Sequence, residues 1–109
     1  MPYNIPMVFI ETPVFTRRIH DYLSDEEYIG LQLHLVEQPA AGPVVPGSGG
    51  VRKLRWGLPE RGKRGGIRVI YYWQRADDEI WLLTVYAKNE ESNIPGHILR
   101  QIKEEFERD

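Results

Sequence analysis

The sequence predicts an α+β fold: an N-terminal β-strand and a two-helix hairpin packed on an antiparallel sheet, followed by a C-terminal helix. Three observations predict it. Apolar residues recur at a period of about 3.6 through residues 13–38, as on one face of a helix. The period falls to about 2 after the Pro/Gly/Ser-rich stretch Ala40–Gly50 (AAGPVVPGSGG), as in strands. Helical spacing then returns beyond Ile94-Pro95.

Met7–Glu11 is a short apolar run and reads as the first strand. Thr12-Pro13 supplies an N-cap and a proline at the first helical position, where no amide hydrogen is needed. Phe15, Ile19, Tyr22 and Leu23 follow on one face. Ser24 and Glu27 form a capping-box pattern that opens a second helix. Tyr28, Leu31 and Leu35 make its buried stripe, and it stops before Pro39. Val51–Trp56, Ile67–Gln74 and Ile80–Lys88 read as three strands. Gly57–Gly66 is a long basic loop between the first two, and Ala76-Asp77-Asp78 is a short hairpin turn. A last helix carries Ile98, Leu99, Ile102 and Phe106. The order β–α–α–β–β–β–α implies a sheet with its helices on one face.

With 109 residues the chain has room for one core. It has no cysteine, which excludes a disulfide framework, a cysteine-based zinc site and a thiol nucleophile. Its histidines, His20, His34 and His97, are scattered, so no metal site is expected. The segment MPYNIPMVFIE lacks a basic start and a long apolar core, so no signal peptide is expected. No run approaches the roughly 20 apolar residues of a membrane span. The expectation is a cytoplasmic protein with no membrane partner.

The net charge of −2 conceals a polarised chain. Residues 51–75 hold eight of the 14 basic side chains and a single acid, Glu60, so they carry about +7 while the remainder carries about −9. A basic, Gly-rich, aromatic β-hairpin in an acidic small domain points to nucleic acid or another polyanion. Strand alternation sets Lys53 and Arg55 on one face and Arg52, Leu54 and Trp56 on the other. It sets Arg68, Ile70 and Tyr72 against Val69, Tyr71 and Trp73, and Thr84, Tyr86 and Lys88 against Leu83, Val85 and Ala87. In an antiparallel sheet, Lys53, Arg55, Arg68 and Lys88 would converge on one surface. The segment GLPERGKR (57–64) approaches a P-loop. However, Arg64 replaces the required hydroxyl residue and a strand follows where a helix is needed, which argues against nucleotide binding there.

Four stretches, YLSDEEY (22–28), GSGGVRKLR (47–55), GKRGGIRVIYYW (62–73) and LLTVYAKNE (82–90), resemble the RelE/HigB toxins of type II toxin–antitoxin systems, in the RelE/ParE superfamily, and most of all the HigB-type members. The resemblance spans nearly the whole chain and implies a single RelE-like toxin domain over residues 1–109. It implies a ribosome-dependent mRNA endoribonuclease that cleaves translated message in the ribosomal A site and is silenced by a cognate antitoxin. Its partners would be that antitoxin, the ribosome and mRNA. No cofactor or metal is implied, because the mRNA 2′-hydroxyl is itself the nucleophile. By the same resemblance Lys53 and Arg55 match a basic pair and Arg68 a phosphate-clamping arginine, with Lys88 as a fourth catalytic candidate. Lys53 is the better proton acceptor, since arginine stays protonated. Lys63, Arg64, Arg61 and Arg52 are the expected RNA- and ribosome-binding residues.

Two departures stand out. Lys88-Asn89-Glu90 lies where related toxins carry Lys-Arg-Glu, and asparagine cannot act as a cationic acid, so that role passes to Lys88 or to an arginine of the 61–64 loop. A C-terminal base-stacking tyrosine also has no counterpart. The alternative reading is therefore a non-enzymatic binder on the same fold, either a gyrase poison or an inactive toxin acting only in an antitoxin repressor complex.

Overall fold

The computed structural model describes residues 7–57, 66–90 and 93–107. Its elements are β1 (Val8–Glu11), α1 (Pro13–Tyr22), α2 (Asp25–Glu37), β2 (Arg52–Trp56), β3 (Ile67–Gln74), β4 (Glu79–Ala87) and α3 (Gly96–Glu107). The sheet order is β1-β4-β3-β2. β2, β3 and β4 are antiparallel, and β1 joins the far edge parallel to β4. This is the α+β arrangement of strand, helical hairpin, sheet and C-terminal helix that the sequence predicts, with one parallel pairing added.

Local chemistry accounts for the helix ends. Thr12 caps α1 by accepting from the Phe15 N–H at 3.0 Å. Ser24 and Glu27 exchange both bonds of a capping box at 3.1 and 2.8 Å. Phe15, Ile19, Leu31 and Leu35 then pack on Leu54, Val69, Tyr71, Leu82 and Val85 of the sheet. The two tyrosines of YLSDEEY fasten this layer. Tyr22 donates to Glu90 and Tyr28 to Glu11. Burial, reinforced by the carboxylate acceptor, raises the pKa of both phenols.

The structure departs from the sequence expectation in three places. First, α3 lies on the opposite face from α1 and α2, where Leu99, Ile102 and Phe106 cover Val51, Ile70, Trp81 and Leu83. Second, the register shifts between Ile70 and Tyr71, where Ile70 faces Thr84 but Tyr71 faces Leu82. Leu83 is thus an extra residue, and the bulge reverses the alternation. Trp81 and Leu83 consequently share a face with Tyr86 instead of opposing it. The carbonyl of Leu83 accepts from the Thr12 hydroxyl at 2.7 Å, so the α1 cap also satisfies the bulge. Third, Ala40–Gly50 is a folded flap rather than a linker. Val44 pairs with Arg52, Ser48 is buried, and the Tyr71 hydroxyl donates to the Pro39 carbonyl and accepts from the Gly42 N–H.

Candidate functional site

The register brings four of the sequence-predicted residues to one corner of the α3 face. Arg55 stands directly opposite Arg68, and Arg68 stands opposite Tyr86, so the three form one row across β2, β3 and β4. Like charges in directly opposed positions cost stability, whereas an apolar or oppositely charged pair there would add to it. Arg68 is 7% exposed while Arg55 is open to solvent. A largely buried arginine directly opposite a second arginine makes this row the candidate site.

Lys53 occupies the next row, opposite Ile70. Its Nζ donates to Asn93 Oδ1 at 2.8 Å, which fixes the ammonium near the start of α3. Lys88 follows the end of β4, and its N–H donates to the Gly66 carbonyl at 3.2 Å. It is exposed and stands just beyond the Arg68 row. Gly66 has a φ of +54°, and a Cβ there would lie 2.3 Å from the Trp56 carbonyl oxygen, so only glycine lets β3 start this close to the end of β2. Glu90, the acid of the Lys-Asn-Glu turn, is held by Tyr22 on the opposite, α1 side.

Arg52 is not part of this group. It lies on the other face, opposite Tyr71, and its Nη1 donates to the carbonyls of Gly42 at 2.8 Å and Ala40 at 3.3 Å. Arg61, Lys63 and Arg64 lie outside the described residues. Two residues of the site were missed in the sequence. Tyr86 is buried next to Arg68, and its alternation with Thr84 and Lys88 was a usable signal. Asn93 meets Lys53 across 40 positions of sequence, for which a single sequence holds no signal.

The arrangement can hold a phosphodiester between two guanidiniums, with one lysine on each side of the row. The planar donor sets of guanidinium groups match phosphate oxygens.

No protein-family model matches the chain. A solved structure does: the Escherichia coli toxin RelE, as a mutant in the free state, superposes with a TM-score of 0.57 at 14% identity. The match covers 95% of this chain and 98% of that one. The chain has the RelE fold. Elements from β1 to α3 therefore have counterparts in a RelE toxin, and the basic corner lies on a RelE-like sheet. Among the described residues, no helix is long and apolar enough to cross a membrane.

Proposed function

We propose that this chain, as a single toxin domain over residues 1–109, is a ribosome-dependent mRNA endoribonuclease of a toxin–antitoxin pair, acting in the cytoplasm. The observation that carries the reading is the opposed pair Arg55–Arg68, with Arg68 sunk into the sheet. In this mechanism the two guanidiniums bind the nonbridging oxygens of the scissile phosphate and stabilise the charge that builds on them. Lys53 takes the proton of the 2′-hydroxyl as that oxygen attacks phosphorus. The bond from phosphorus to the 5′-oxygen breaks as Lys88 delivers a proton to it. The products are a 2′,3′-cyclic phosphate and a free 5′-hydroxyl. Lys63, Arg64 and Arg61 add sequence-independent contacts to RNA phosphates.

A protein partner is supported by a separate surface. α2 turns Ile29, Leu33 and Val36 outward at 53, 59 and 45% exposure, on one helical face. Asp25, Glu26 and Glu37 surround that stripe. Carboxylates around an apolar stripe suit an antitoxin helix that carries Lys or Arg beside its own apolar row. Two copies of this chain meeting there would set acid against acid.

Primer extension on a defined message in a purified translation reaction tests the proposal. Cuts in frame with codons, present only when the message is translated and absent with Arg68→Ala, are expected. Intact message with translation still running would replace this reading with the binder alternative, and gyrase would be assayed next.

A further inference from the structure

A second cationic cluster stands at the other end of β3. β2 begins at Arg52, opposite Tyr71, so Tyr72, Trp73 and Gln74 run on beyond it. The flap carrying Val44 and Gly50 closes over this open edge and leaves a cleft of about 330 Å³, whose lining includes Arg52, Tyr72, Trp73, Gln74 and Arg75. Two guanidiniums line it and no carboxylate does.

Neither guanidinium is held by an acid among the described residues. Arg75 lies over the Trp73 ring, 4.6 Å from its centroid. Arg52 is anchored through Nη1 on two backbone carbonyls, those of Gly42 and Ala40. Neutral anchors of this kind fix the position of a cation without cancelling its charge, so little ordering is left for an anion to impose. Outside the lining, Lys103 Nζ sits 4.6 Å from the centroid of the Tyr72 ring and donates to the Gly49 carbonyl at 3.2 Å. Gly50, at φ +98°, allows the flap to pass this ring, since a Cβ would come within 3.1 Å of it.

Arginines beside aromatic rings form the recognition chemistry of single-stranded nucleic acid, where phosphates take the charges and bases take the rings. The cleft is at the small end of ligand pockets, which suits one nucleotide. From Arg68 to Arg75 the strand path covers roughly 23 Å at about 3.3 Å per residue.

We propose that the cleft binds a nucleotide of the same RNA strand that Arg55 and Arg68 hold, its phosphate between Arg52 and Arg75 and its base on the Tyr72 side. This inference rests on the RNA reading above. It makes the message cross the sheet from one end of β3 to the other.

Fluorescence anisotropy of labelled oligouridylate with the full chain, over a series of salt concentrations, tests it. One probe is long enough to reach both clusters and the other is a trinucleotide. Arg75→Gln, an exposed substitution, should weaken the long probe about fivefold or more. It should also flatten the plot of log affinity against log salt by about 0.7, the share of one single-strand phosphate. Trinucleotide binding at the Arg55 end should be unchanged. If Arg55→Gln weakens the long probe and Arg75→Gln leaves affinity and slope as in the wild type, the cleft assignment is overturned and the cleavage reading stands. If neither substitution changes binding, the cleft assignment is overturned, and the cleavage reading is decided by primer extension in the translation reaction.

Discussion

The two faces of the sheet are built to different ends. Beneath α1 and α2, Phe15, Leu31, Leu35, Val69 and Leu82 are sealed from water. On the other face α3 covers only the stretch around Val51, Ile70, Trp81 and Leu83. The uncovered corner carries Arg55 and Arg68 in opposition. The first face is a closed core, and the second sets two arginines in opposition at an open corner. Substitutions on the two faces should therefore fail in opposite ways.

The largest effect on stability is expected on the sealed face. Phe15→Ala should lower unfolding free energy by about 3–5 kcal/mol, read from the denaturant midpoint, since it removes a wholly buried ring. On the open corner, Arg68→Ala should cut ribosome-dependent cleavage by about a hundredfold or more, as loss of a charge-stabilising donor does in other enzymes. Its midpoint should fall far less than that of Phe15→Ala, and an equal fall would erase the distinction between the faces.

Thr12→Ala acts between them. It removes the α1 cap and leaves the bulge carbonyl of Leu83 without its hydroxyl partner, at a cost of about 1–2 kcal/mol by thermal unfolding. Tyr28→Phe should cost about 1 kcal/mol at neutral pH through the lost bond to Glu11. It should also change the alkaline limb. The folded-state pKa of Tyr28 is raised above its ordinary value of 10.0, so its contribution is whole below that pH and is lost as pH rises beyond it. The substituted protein should therefore lose stability less steeply above pH 10.0. Arg55→Gln gives the smallest change and the most pointed one. Relieving the opposed charges should raise the midpoint by a few tenths of a kcal/mol while activity falls.

Much of this division was legible in the chain. Thr12-Pro13 and the Ser24/Glu27 box mark helix starts through short-range hydrogen bonds, and alternation groups Lys53 with Arg55 in β2, whereas the register alone sets that face beside Arg68 of β3. The rest depends on contacts between distant residues. The extra residue at Leu83 is visible only against the partner strand, so simple alternation sets Leu83 opposite Tyr86 when the two share a face. The amphipathic spacing of α3 shows that it covers something, but not which face of the sheet. The proline and glycine content of residues 40–50 suggested a linker, whereas the Tyr71 hydroxyl and Ser48 fold that stretch against the sheet.

The bulge at Leu83 divides β4 into two reading frames. Glu79–Leu82 answer to one phase of the pleat and Thr84–Ala87 to the other. The half that pairs with β1 and the half that borders Arg68 are thus joined at a phase boundary, with the hydroxyl of Thr12 holding the seam. Deleting Leu83 would restore plain alternation with both halves on their present faces, and would remove the carbonyl that the Thr12 hydroxyl holds. The phase boundary is thus the property of one inserted residue, and what that residue adds is a backbone carbonyl on which the start of α1 is fastened.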